Sequence, residues 1–119
     1  MFLSNNGILI VNRGDSFILT VAINLGTGLD PHYYNLTKND KLYLGVMEPN
    51  MSFENAVIRK TIKDTVTTDT NVQYIFNSGD TEYLLPGKYY YMVKLERPQE
   101  DGTVLVDTII DKTEFRILD

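Results

Sequence analysis

The chain has 119 residues, a length that suits one domain and buries roughly two thirds of its unfolded surface. It carries no cysteine, which excludes a disulfide framework and thiolate metal sites. Its formal net charge of −5 and pI near 4.7 lack the basic stripe with which nucleic-acid binders displace phosphate counterions, so no nucleic-acid partner is expected.

No apolar stretch approaches the roughly 20 residues of a spanning helix, and "MFLSNNGILIVNRGD" lacks the basic start and long apolar run of a signal peptide. Neither a membrane partner nor classical secretion is expected. The sequons at Asn35-Leu36-Thr37 and Asn50-Met51-Ser52 then carry little weight, because glycosylation needs a secretory route.

Ile8 to Val11 is a short apolar run that reads as the first strand. Ser16 to Asn24 alternates strictly, with Phe17, Leu19, Val21 and Ile23 on one face, and reads as the second. Between them lies Arg13-Gly14-Asp15, the tripeptide of integrin ligands. Adhesion would need it at the tip of a protruding loop. A strand connection explains the same letters, because glycine supplies positive φ and Asp or Asn bonds its own backbone.

A long connection, Asn24 to Asp40, contains Asp30-Pro31 and the pair Tyr33-Tyr34. Lys41 to Glu48 alternates as a third strand and closes at Pro49-Asn50. Glu54 to Thr65 has helical charges, yet Val, Ile and Thr dominate it and predict a fourth strand. Asn71 to Asn77 is the fifth. Thr81 to Leu85 fits one helical turn, capped by Asp80 or Thr81 and ended by Pro86-Gly87.

Gly87 to Glu96, "GKYYYMVKLE", is the strongest strand: Tyr89, Tyr91, Val93 and Leu95 face one way, and Tyr90, Met92, Lys94 and Glu96 the other. Asp101-Gly102 signals a hairpin into Thr103 to Ile110. Asp111-Lys112 is read as a turn before a last strand, Thr113 to Leu118. About eight strands in so short a chain suggest a two-layer antiparallel sandwich forming one domain over residues 1–119. No repeat or linker divides it.

Chemistry-bearing residues are few. His32, the one histidine, sits in a segment read as a loop, and a nucleophile with its base is not in sight, so no enzyme is expected. Asp107, Asp111 and Glu114 cluster in sequence, as do Asp80 and Glu82, but nothing in their spacing matches a calcium loop or fixes a glycosidase pair. Gly26 to Gly28 precedes a loop and not a helix, so no nucleotide or other cofactor site is indicated. The surplus is aromatic. Tyr33, Tyr34 and Tyr90 are the candidate contact surface, while Tyr89 and Tyr91 suit the core.

Several of these segments together resemble small immunoglobulin-like β-sandwich domains of tailed bacteriophages and prophages. They are Gly14-Asp15-Ser16, Asn35-Leu36-Thr37, Thr81-Leu84-Gly87-Tyr89-Tyr91, Val106-Thr108-Ile109 and Phe115-Ile117. The likeness spans nearly the whole chain and is similar to the N-terminal modules of baseplate upper proteins, which dock receptor-binding parts onto the tail. One departure is Met92-Val93-Lys94, where the family often has an acidic residue ahead of its next apolar pair.

The resemblance implies an immunoglobulin-like fold and a non-catalytic virion protein that contacts tail, baseplate or fibre subunits, or copies of itself. Within the family, Gly-Asp marks a strand entrance, which favours the turn reading of Arg13-Gly14-Asp15. The competing expectation is a carbohydrate-binding module that adheres to host cell-surface or mucosal glycans through exposed aromatic rings.

Overall fold

A computed structural model describes residues 1–119. The strands are β1 (Phe2–Leu3), β2 (Leu9–Asn12), β3 (Phe17–Ala22), β4 (Lys41–Met47), β5 (Ile58–Lys63), β6 (Asn71–Phe76), β7 (Gly87–Pro98) and β8 (Val104–Leu118). A 3₁₀ turn at Phe53–Asn55 and one helical turn, α1 (Ser78–Thr81), interrupt them. Six strands form a curled mixed sheet in the order β1-β2-β8-β7-β4-β5, and β3 pairs with β6 in a small second sheet. No helix is long and apolar enough to cross a membrane.

Alternation decides which residues meet. On β7 the odd positions Tyr89, Tyr91, Val93 and Leu95 are buried, and Leu42, Leu44 and Val46 of β4 lie on the same face. The small sheet contributes Leu19, Val21, Val72, Tyr74 and Phe76 to the same core of 19 buried residues. Phe17 and Phe76 stack at 4.4 Å between ring centroids, with Phe115 of the large sheet 6.3 and 6.1 Å away.

Buried phenols need partners, and each finds a carbonyl. Tyr74 donates to Leu42 O at 2.8 Å and so ties the two sheets together. Tyr91 donates to Gly7 O, and Tyr89 to Leu85 O at 2.7 Å.

Four expectations change. The sheet is mixed and not antiparallel throughout, because β2 runs parallel to β8, with Leu9 opposite Phe115 and Asn12 opposite Leu118. The cause is the Asn12–Asp15 turn, which carries the chain out of the large sheet into the small one and leaves β2 to pair with the C-terminal strand. Within that turn Gly14 has φ 83° and donates its N–H to the buried Thr81 Oγ1 at 2.9 Å.

The stretch from Glu54 to Thr65 is not one strand. Phe53 packs against Gly45 and the chain turns there before β5, and Asp64, at φ 53°, ends the strand. Nor does the chain turn at Asp111-Lys112. β8 continues through them, and its register against β7 slips between Tyr91 and Val93 and again between Val93 and Lys94. The extra β8 residues are accommodated as bulges, which twist the hairpin. Asp111 supports the irregularity: its carboxylate accepts from the Lys112 N–H at 2.7 Å and its carbonyl from Thr113 Oγ1 at 2.7 Å.

The helical turn also sits earlier than expected. Asn77 is its cap, and Asp80 Oδ2 accepts from the Asn77 N–H at 2.7 Å to close a capping box.

Candidate functional site

The three candidate tyrosines do not form one surface. Tyr33 is 60% exposed in the long loop, where its backbone bridges Asn24. Tyr34 points inward: its hydroxyl donates to Asp40 Oδ2 at 2.6 Å, and the Arg97 guanidinium lies 5.3 Å from its ring centroid. Burial and then the Asp40 carboxylate raise its pKa above the usual phenol value. Asp40 is itself buried and also accepts from the Thr37 N–H at 2.8 Å and Thr37 Oγ1 at 3.0 Å, so this group organises the loop.

Tyr90 lies at the other end of β7, seven residues or roughly 23 Å of strand from Arg97. It faces outward between two cations, with Lys112 Nζ 4.5 Å and Lys88 Nζ 5.4 Å from its ring centroid. Glu114 beside it engages Arg116 at 2.8 Å and Lys88 at 3.6 Å.

Other residues singled out in the sequence have local partners. Arg13 is bound to the Asp119 carboxylate, and its N–H donates to Leu118 O at 2.7 Å, so the Arg-Gly-Asp tripeptide closes a turn against the C-terminal strand. His32 Nε2 lies 3.2 Å from Asp30 Oδ2 on an exposed loop. Asp107 pairs with Arg97 at 2.8 Å, and Asp80 with Lys60 at 2.7 Å.

Two features were not singled out in the sequence. The first is a sheet edge. Only Phe115–Leu118 of β8 pair with β2, so the first eleven residues, Val104 to Glu114, have β7 on one side and no strand on the other. Val104, Leu105 and Val106 there are 49, 45 and 61% exposed. Unpaired N–H and C=O groups flanked by apolar side chains are a template for another strand.

The opposite edge, β5, is defended. It carries Arg59, Lys60 and Lys63, and Lys60 sits at a core-facing position, reaching back to Asp80. Inward-pointing charge of this kind discourages strand addition.

The second feature is a cleft of about 410 Å³ on the outer face of the large sheet, lined by β4, β5, β7 and the Phe53 turn, with Val106 of β8 also in its lining. Gly45 lets Phe53 approach: a Cβ at that position would stand 2.9 Å from Phe53 Cε1. The signal in the sequence was the glycine within an otherwise regular strand, which marks close approach of another group. Lys94 Nζ lies 4.9 Å from the Phe53 ring centroid, so this ring is already covered by a cation.

No protein-family model, curated protein or solved structure matches the chain.

Proposed function

We propose that the chain is a non-catalytic structural module of a tailed-bacteriophage or prophage virion, built as an immunoglobulin-like sandwich and docking tail, baseplate or fibre subunits. The sequence resemblance supplies the class. The observation that carries docking is the open, apolar first half of β8, opposite an edge that charge protects. An extended segment of a virion partner would add to that edge, with main-chain hydrogen bonds providing affinity and alternate side chains providing selectivity. Tyr90, held between Lys88 and Lys112, flanks the same hairpin and would contribute to the contact.

The test is incorporation into particles. Cells that produce the particle are made to express the chain or a Val104→Lys, Thr108→Lys variant, and purified particles are analysed by quantitative mass spectrometry. Both positions are exposed, so the variant should fold normally. The native chain should be a fixed-stoichiometry component and the variant should remain in the soluble fraction. Absence of the native chain from particles would overturn the proposal.

A further inference from the structure

The outer-face cleft differs from the rest of its sheet in how its polar groups are used. Around Tyr90 and Arg97 the charged side chains are paired with one another, as in Arg116–Glu114 and Arg97–Asp107. In the cleft, Arg59, Lys94, Glu54 and Glu96 form no ion pair, although both signs are present, and the Tyr43 and Thr61 hydroxyls make no hydrogen bond to protein.

Register explains the grouping. Thr61, Tyr43 and Lys94 stand side by side across β5, β4 and β7, and opposed residues of antiparallel strands point to one face. Arg59, Gly45 and Met92 form the row on one side of these, and Glu96 with Lys41 and Lys63 the row on the other. The Phe53 turn roofs Gly45 and brings Glu54 to the rim.

The chemistry of an occupant follows from this set. A strong anion would be attracted by Arg59 and Lys94 but would meet Glu54 and Glu96, and a cation would meet the reverse. A zwitterion or a neutral polyol could each satisfy all four, carboxylates accepting N–H or O–H protons and cations donating to oxygens, and of the two a sugar ring also offers a C–H face for the Tyr43 ring in the same lining. Because Lys94 occupies the Phe53 ring, Tyr43 is the aromatic wall left for an apolar ligand face. The volume lies in the range of small-molecule sites, about 300–1,000 Å³.

We infer that this cleft binds a neutral saccharide, one or two pyranose rings, with C–H faces against Tyr43 and hydroxyls bridging Arg59 and Lys94 to Glu54 and Glu96. Val106 of the β8 edge also lines the cleft, but the polar groups used here lie on β4, β5, β7 and the Phe53 turn, so the inference stands whether or not that edge docks a strand.

The experiment is an amide chemical-shift titration of the whole chain with N-acetylglucosamine, galactose and maltose, alongside glycine and inorganic phosphate. At least one sugar should move the amides of Gly45, Thr61, Lys94 and Glu96 saturably in the millimolar range, with glycine and phosphate leaving them in place. Tyr43→Ala and, independently, the exposed Arg59→Ala should each weaken binding by about tenfold or more while leaving other resonances unshifted. Arg59→Ala keeps the test valid if Tyr43→Ala unfolds. No saturable shift with any sugar, equal binding by the Arg59→Ala variant, or shifts produced by glycine or phosphate alone would overturn the inference.

Discussion

Lys60 Nζ and Asp80 Oδ2 meet at 2.7 Å, joining the outermost strand of the large sheet to the helical turn that follows the small one. The lysine stem passes the Phe76 ring, 5.5 Å from Nζ, so an inward-facing charge at the sheet edge covers core while its head reaches a partner. Asp80 also caps α1, and both uses are lost together in Asp80→Ala. The expected cost is about 1–2 kcal/mol by urea unfolding. Asp80→Asn retains an acceptor for the cap and should lose less.

The turn spelled Arg-Gly-Asp should behave as structure. Gly14→Ala places a side chain at φ 83°, and Thr81→Val leaves the Gly14 N–H without its acceptor in a buried setting. Gly14→Ala should cost about 1 kcal/mol and Thr81→Val about 1–3 kcal/mol. Asp15→Glu, by contrast, should change neither the unfolding midpoint by much nor any attachment of cells to the immobilised protein.

Gly45 is the position at which packing on the outer face can be tested. A methyl group there would sit 2.9 Å from Phe53 Cε1 and 3.2 Å from Ala56 Cβ, so the Phe53 turn must move outward. Gly45→Ala should destabilise the chain by about 1–3 kcal/mol. Faster hydrogen exchange at Phe53 to Ala56, with β7 and β8 unaffected, would locate the damage.

Alkaline pH should open the fold through its phenols. Burial raises the pKa values of Tyr34, Tyr74, Tyr89 and Tyr91 above 10.0, with the Asp40 contact adding to Tyr34 and the Glu48 charge to Tyr89. Between the unfolded value and the raised folded one, the folded chain holds protons that the unfolded chain releases. The stabilisation is therefore complete below pH about 10 and is lost as pH rises through the folded values. Phenolate absorbance from these four should appear together with the loss of strand circular dichroism, and Tyr74→Phe should remove part of that dependence.

Much of the strand pattern was legible because alternation is a local property. Phe17 to Ile23 and Tyr89 to Leu95 declare their buried faces without reference to partners. Pairing is not local. That β2 lies beside β8 in parallel depends on where the Asn12–Asp15 turn sends the chain, and no periodicity within either strand reports it. The same reason hid the open edge: Thr103 to Ile110 reads as a strand, but its missing neighbour appears only when the sheet order is known. Asp111-Lys112 resembled a turn because a bulge uses the same short polar chemistry.

The candidate site was less legible. Tyr34 looked like a surface ring because it follows Pro31 and His32 in a polar loop, and only the buried Asp40, six residues on, shows where its hydroxyl goes. Tyr90 does face outward, as alternation required. Tyr43, Arg59 and Lys94 were invisible as a group, since each belongs to a different strand and register alone brings them side by side.

The most direct test of docking at β8 is backbone hydrogen exchange, compared between the free chain and the chain assembled in purified particles. In the free chain, amides facing away from β7 between Val104 and Thr113 should exchange rapidly. Strand addition should protect them in the particle while β5 is unchanged. Equal exchange of this segment in the free and assembled states would contradict the account.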